Sequence, residues 1–365
     1  MTDLSKNGLS QTGLLETDSL KTGLPSTGLA ATRALMTDLP VTAPSFPLPG
    51  SSNSSLVSTI IPVHNRPELV ITAVESVLHQ SHSNLEVLLV NDGSTDHTAA
   101  VLERLRRQDP QRVQVIHQAN AGPGAARERG RLLARGAYIQ YLDSDDWLLP
   151  HKFRDQIAAL RAHPECAIAY GTSSLVDGTG QVLADPSRQT AQSHGQLFPA
   201  LLVDRWWHTH TPLFRRWISD AAGPWPSFRP EDWDLEARMG ALGARLIHCG
   251  SSVSVQRDHA SAERVSRGPS QAYLRDEATF LPRLYACALL AGVHHQAPEM
   301  DHFARWCFMR ARDLHGLGES QLGDQLLRLS DLIWVGRAWK RQAYAALRGA
   351  LGARAAARLA ALVRA

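Results

Sequence analysis

The chain has 365 residues, with 38 Lys and Arg against 35 Asp and Glu, a formal net charge of +3 and a hydrophobic share of 44%. That length holds one large domain, or one domain with appendages, around a sizeable core, and the near balance of charge gives no reason to expect nucleic acid as a partner. Its four cysteines, Cys166, Cys249, Cys287 and Cys307, lack metal-ligand spacing and suit free thiols in a reducing compartment.

Residues 1–54 are rich in Thr, Ser, Gly, Leu and Pro, with a loose repeat at Thr12-Gly13-Leu14, Thr22-Gly23-Leu24 and Thr27-Gly28-Leu29. Aromatics are nearly absent, so little can be buried against the entropy of ordering this segment, and disorder is expected. The amino terminus has no basic-then-apolar signal pattern, which with the thiols points to the cytoplasm. From residue 56 the pattern changes. Residues 56–61 form an apolar, β-rich run ending at Pro62, and 68–78 have helical spacing. A second buried strand over 85–90 leads into Asn91-Asp92-Gly93-Ser94, and Thr95 or Asp96 can cap a helix running to about 107. A third strand is expected over 113–116, a helix over 122–134 and a fourth strand over 137–142. This alternation implies βαβ units and a parallel sheet covered on both faces.

Beyond Pro150 the spacing predicts a helix over 150–162, a strand over 166–171, a turn at Asp177-Gly178 and a helix from 232 to about 242. Between them lies a stretch with Trp206, Trp207, Trp217, Trp225 and Trp233. From about 272 onward the chain reads as helical, and no apolar run approaches the roughly 18 residues of a membrane span. Residues 332–365 hold Arg337, Lys340, Arg341, Arg348, Arg354, Arg358 and Arg364 and no acid, with Trp334, Trp339, Tyr344, Leu347 and Leu351 among them. Such a basic amphipathic segment either lies on an anionic membrane surface or packs on the catalytic domain with its arginines in water.

The chemistry gathers at the strand ends, where open α/β sheets bind their ligands. The first strand delivers Pro62-Val63-His64-Asn65-Arg66, the second Asn91-Asp92-Gly93-Ser94-Thr95-Asp96, and the fourth Asp143-Ser144-Asp145-Asp146. A helix opens at Ala121-Gly122-Pro123-Gly124 ahead of Arg127, and small residues at a helix N-terminus suit an approaching anion. Asp143 and Asp145 are two apart, so in an extended segment both carboxylates leave on one side, as ligands for Mg²⁺ or Mn²⁺. A lone Asp-x-Asp reads equally as an acidic turn.

These motifs, in this order over roughly 56–260, resemble the family 2 glycosyltransferases, inverting enzymes with the GT-A nucleotide-sugar fold. The resemblance implies an α/β domain with a mostly parallel, Rossmann-like sheet over 55–265 and a helical carboxy-terminal region over 266–365. It implies a UDP- or dTDP-sugar donor, with Pro62, Val63 and Asn65 lining the base pocket and His64 where the family often has Tyr. Asp92 would accept the ring N–H of the base. Gly122 and Gly124 match the Gly-rich helix entry, with Glu128 where the family usually has Asn, and Arg127 would hold the nucleotide or a neighbouring acid. Asp143, Ser144 and Asp145 match the Asp-x-Asp. Its acids would bind Mn²⁺ or Mg²⁺ against the diphosphate, with Asp145 the direct ligand and Asp146 left to cap the next segment of chain. Pro230-Glu231-Asp232-Trp233-Asp234-Leu235 resembles the family's helix-opening acidic segment, with Asp232 as general base and Glu231 or Asp234 as alternatives; an acidic helix start is the plainer reading. Arg257-Asp258-His259, with Ser261 and Ser266, resembles a segment that closes over the diphosphate. Trp206 and Trp207 are either sugar platforms on the acceptor side or core. A lipid-linked acceptor is among those that fit. Two other functions share parts of this pattern. A sugar nucleotidyltransferase would need a Gly-rich loop that residues 62–67 lack, and the intact Asp92, Asp143, Asp145 and Asp232 count against a non-catalytic nucleotide-sugar-binding scaffold.

Overall fold

The computed structural model describes residues 55–177, 181–183, 190–258, 270–334 and 339–362. The low-complexity segment 1–54, Gly178 of the expected turn, His259, Ser261, Ser266, Arg337 and Arg364 lie outside them.

The first four strands are β1 (Val57–Val63), β2 (Leu85–Asp92), β3 (Val113–Gln118) and β4 (Tyr138–Tyr141), and they pair in parallel in the order β3-β2-β1-β4. β1 and β2 are rich in Val, Ile and Leu and buried along almost their whole length because both faces are covered. Helices α1 (Leu69–Leu78) and α2 (Thr98–Gln108) follow β1 and β2, and α3 (Pro123–Leu133) precedes β4. Asp96 accepts the Thr98 N–H at 2.9 Å, the cap expected of it. Val63 pairs with Asn91 and Asn91 with His117, so the ends of β1, β2 and β3 finish level along one edge of the sheet.

β5 (Trp147–Leu148), β6 (Ile168–Val176), β7 (Val182–Leu183), β8 (Leu213–Arg215) and β9 (Leu246–Arg257) extend the sheet past β4 in the order β8-β6-β9-β5, with β7 on β6. β8 runs antiparallel between β4 and β6, which makes the sheet mixed. Of these strands the sequence pattern marks only β6. β5, β7 and β8 are two or three residues long, and β9 carries Gly250-Ser251-Ser252 where its pairing with β6 shifts register. Neither kind shows a sustained period of two.

Eight further α-helices complete the described residues. They are α4 (Lys152–Ala162), α5 (Arg216–Ala221), α6 (Glu231–Ala241), α7 (Gln271–Leu290), α8 (Pro298–Leu317), α9 (Ser320–Ile333), α10 (Trp339–Leu351) and α11 (Ala353–Leu362). Val57, Ile61, Val74, Leu89 and Leu105 form a core on one face of the parallel strands. Ile60, Leu88 and Tyr141 start the other, which continues through Trp207 and Phe214 into Phe280 and Phe303 of the terminal helices. The helical region thus shares an apolar core with the sheet. None of the described helices is long and apolar enough to cross a membrane.

Candidate active site

A cleft of about 920 Å³ opens at the carboxyl edge of the parallel strands. Pro62, Val63, His64, Asn65, Asp92, Gly122, Arg127, Asp143, Ser144, Asp145 and Asp232, all singled out from sequence, line it together. Asn65 stands just past β1 with φ of 50°, a left-handed conformation that Asn tolerates better than most residues. Its Oδ1 accepts the Thr95 N–H at 2.9 Å and its N–H is donated to Ser94 Oγ at 3.1 Å, while His64 Nδ1 lies 2.8 Å from the Asp92 carbonyl oxygen. These contacts stitch the ends of β1 and β2 together.

Asp92 is buried, and its carboxylate is engaged by the protein. Oδ1 accepts from Gln118 Nε2 and the Ala121 N–H, each at 2.8 Å, and Oδ2 accepts the Gly122 N–H at 2.9 Å. The amides expected to face an anion at the entry of α3 therefore face the protein's own carboxylate. Gly122 has φ of 88°, which favours glycine, but Gly124 serves packing rather than ligand approach. A Cβ there would sit 2.3 Å from the Pro226 carbonyl oxygen.

The acidic run after β4 is a turn, closed by the Asp146 N–H donating to the Asp143 carbonyl at 3.2 Å. The extended geometry that would put Asp143 and Asp145 on one side is absent. Arg127, buried on α3, donates to Asp143 Oδ1 and to Glu231 Oε1, each at 2.7 Å, and its guanidinium lies 4.8 Å from the centre of the Trp225 ring. Burial lowers its proton affinity, but Asp143 and then Glu231 outweigh this and hold it charged. Asp146 does more than cap. Its Oδ1 accepts the Arg257 N–H at 2.9 Å, which ties the turn to β9, and its Oδ2 lies 2.9 Å from Nδ1 of the fully buried His210. Burial pushes His210 down to about 4, so its imidazole is neutral. Asp143, Asp146 and His210 each bring a ligand atom into a group no wider than 4.8 Å. Two carboxylates and a neutral imidazole fit a divalent ion such as Mn²⁺.

Across the cleft α6 begins with Glu231 and Asp232. Asp232 Oδ2 accepts from Thr209 Oγ1 at 2.9 Å and lies 2.8 Å from Arg205 Nη1, while Oδ1 accepts the Trp233 N–H at 2.8 Å. Burial pushes the Asp232 carboxyl up, but Arg205 and Arg127 together outweigh it and hold it below the ordinary value. Glu231 is raised, by burial first, against the pull of Arg127. Asp234 is buried away from the cleft on Arg238 and Arg283, which removes it as a base.

Trp206 and Trp207 are core residues, 4% and 1% exposed and packed on one another, so they offer no face to a sugar; Trp233 is the tryptophan that lines the cleft. Arg257 also lines it and stacks over Trp147 at 5.1 Å. Arg205, Thr209 and His210 were not singled out from sequence as site residues. They sit in irregular chain just ahead of β8.

A half-parallel sheet with helices on both faces and an acidic cleft at its carboxyl edge is an α/β architecture of GT-A type. Residues 58–209 match the family model described as glycosyl transferase family 2. The chain is 35% identical to chondroitin synthase of Escherichia coli over 219 residues, 55% of this chain and 30% of that protein. It is 34% identical to the putative glycosyltransferase EpsH of Bacillus subtilis over 136 residues, 37% of this chain and 39% of that one. The chain thus spans well under half the length of these curated relatives. Among solved structures, S. aureus TarS 1–349 in complex with UDP-GlcNAc superposes with a TM-score of 0.58 at 16% identity, covering 76% of this chain and 81% of that one. The complex of the same TarS segment with UDP gives 0.54 at 17%, covering 72% and 74%. These likenesses show the fold.

Proposed function

We propose that the chain is a metal-dependent, inverting glycosyltransferase that moves a sugar from a UDP- or dTDP-sugar to an acceptor hydroxyl in polysaccharide or glycoconjugate synthesis. The observation that carries this is the convergence of the Asp92 loop, the 143–146 turn and the Glu231-Asp232 helix start on one cleft. Pro62, Val63, His64 and Asn65 wall the base, and Asp92 receives the ring N–H on the acceptor capacity left at Oδ2. Gly122 and Ser144 line the path of the nucleotide, and Arg127 orients Asp143 beside it. Asp143 and Asp145 hold Mn²⁺ or Mg²⁺. When bound, such an ion offsets the charge that grows on the departing diphosphate. Asp232 takes the proton of the acceptor hydroxyl as that oxygen attacks the anomeric carbon from the face opposite the diphosphate, which inverts the centre. Arg205 and Thr209 keep that carboxylate ionised and in place.

The UDP complexes of TarS support a uridine donor, and the likeness to chondroitin synthase supports a polysaccharide product. We place the reaction in the cytoplasm, at the inner face of the membrane, with residues 332–365 in contact with its anionic surface and a lipid-linked acceptor within reach. A thermal-shift screen of nucleotide sugars with Mn²⁺ tests the donor, because a ligand of the folded state raises its stability. Donor hydrolysis with Mn²⁺ separates the enzyme from a non-catalytic binding scaffold, which would shift in melting without turnover.

A further inference from the structure

We propose that Arg229, Tyr273 and Arg310 form an acceptor subsite for an uncharged sugar ring, which packs on Trp233 and presents its hydroxyl to Asp232. This rests on the glycosyltransferase reading above and adds to it the chemical class of the acceptor. The match to the family model ends at residue 209, but the cleft continues beyond it. Arg229 comes from the chain just ahead of α6, Tyr273 from the first turn of α7 and Arg310 from α8. Two of the three thus belong to the terminal helices, which wall the cleft beside the Glu231-Asp232 helix start. The Tyr273 hydroxyl has no hydrogen-bond partner among the described residues, and burial, then Glu277, pushes the phenol up to about 12, so it keeps its proton to donate. Arg229 holds its guanidinium 5.9 Å from the centre of the Tyr273 ring, with Nε 3.6 Å from Asp276.

Arg310 sets Nε 2.5 Å from Glu277 Oε2, while Nη2 donates to Glu277 Oε1 at 3.3 Å and Nη1 to Asp313 at 3.4 Å. A guanidinium carries N–H groups beyond these three, so donors remain for a ligand. Glu277 is fully buried on α7. A buried ion pair adds little stability over apolar residues of the same volume; what this one does is fix a guanidinium at the cleft wall. Charge then decides the class of ligand. Glu277 and Asp313 balance Arg310, Asp276 balances Arg229, and Glu231 and Asp232 line the same cleft. A phosphate or carboxylate would meet no uncompensated cation there. Trp233 already gives Nε1 to the Leu201 carbonyl at 3.1 Å, and Trp306 and Phe280 brace its ring at 5.2 and 5.7 Å, so it offers a ligand hydrocarbon alone. Aromatic carbon edged by charge-balanced N–H and O–H donors suits the C–H face and the hydroxyls of a neutral sugar.

The test uses the full chain with UDP and Mg²⁺, and saturation-transfer difference NMR on the methyl glycosides of glucose, galactose, N-acetylglucosamine, N-acetylgalactosamine and glucuronic acid. The expected result is saturation of at least one neutral glycoside, and less of the glucuronide. Tyr273→Phe takes away one hydroxyl and raises the glycoside Kd about 5-fold, the scale of one lost hydrogen bond. Arg310→Gln made together with Glu277→Gln strands no buried charge and raises it at least about 10-fold, the scale of a lost charged donor. UDP affinity, read by calorimetry, reports that each variant is folded. A wild type that saturates no neutral glycoside, or the glucuronide alone, overturns the subsite; donor turnover with Mn²⁺ in that same protein leaves the glycosyltransferase reading standing, and this arm needs no variant to fold. Glycoside Kd unchanged in either variant overturns it equally. A wild type without donor turnover overturns the function on which the subsite rests.

Discussion

Arg205 sets its Nη1 2.8 Å from Asp232 Oδ2 and gives Nε and Nη2 to Glu236 at 2.7 Å each, so one buried guanidinium holds both the proposed base and a second acid one helical turn on. Burial alone would raise Asp232; Arg205 and Arg127 reverse that. The carboxylate is thereby ready to take a proton across the neutral range, at the cost of some proton affinity. Removing the cation disfavours the charged form, so Arg205→Met raises the Asp232 pKa and moves the acid limb of kcat/KM to higher pH. Arg205→Lys keeps the charge and leaves the limb near its wild-type position. Because the pair is buried, the Met variant also loses about 3–5 kcal/mol of stability, visible as a lower Tm. A limb that stays put in Arg205→Met would show that Asp232 is not the titrating base.

Asp232→Asn preserves shape and removes the proposed base. Donor binding stays near wild type, while turnover with saturating acceptor falls by a factor on the order of 10² or more. Equal turnover in the two proteins would take Asp232 out of the mechanism and leave Glu231, the other acid of the helix start within the cleft.

Asp92→Ala has two consequences. UDP affinity, measured by calorimetry, falls because the ring N–H loses its acceptor. Stability falls too, because Gln118 Nε2 and the Ala121 and Gly122 amides lose theirs; each orphaned buried donor costs about 1–3 kcal/mol. A lowered Tm with unchanged UDP affinity would make Asp92 a purely structural clamp.

The parallel half of the fold was legible because its strands are dominated by apolar and β-branched residues, and each acid at their ends lies within a few residues of the last apolar one. That locality brought out Asp92 and Asp143, and the acidic opening of α6 brought out Asp232. It failed where function depends on partners distant in the chain. Arg205 meets Glu236 31 residues later, and His210 meets Asp146 from another strand's approach. Counting two residues from Asp143 to Asp145 assumed extended backbone, and the turn hydrogen bond at Asp146 overrides that parity. The pair Trp206-Trp207 was legible as aromatic bulk, but only tertiary packing shows that both rings face inward.

Metal removal separates positioning from charge compensation. EDTA abolishes donor turnover, and Asp145→Ala lowers it strongly, because an acidic cleft without an ion repels a diphosphate. Turnover in EDTA equal to that in Mn²⁺ would end the metal role of the whole acidic run.

The terminal helices pack on the protein and leave part of their surface open. Tyr344 is buried, with its hydroxyl 2.9 Å from His315 Nδ1, and Ala356 and Ala357 are buried on α11, so this pair of helices is docked on the protein. Arg348 pairs with Asp324. Leu347, Leu351 and Leu359 are exposed, as are Arg354 and Arg358; the side chains of Trp339, Lys340 and Arg341 lie outside the described residues. Exposed leucines and arginines on one pair of helices suit the headgroup plane of an anionic bilayer. The full chain is expected to pellet with phosphatidylserine vesicles and not with neutral ones, and to be released by salt. Each basic residue near such a surface contributes about 1 kcal/mol, so the double variant Arg354→Glu, Arg358→Glu weakens binding by at least roughly 10-fold. Charge reversal is a cleaner probe than truncation after Asp331, which would strip Tyr344 from the core. If wild type and double variant pellet alike, or neither pellets, the exposed side of α10 and α11 has no part in holding the protein at a membrane.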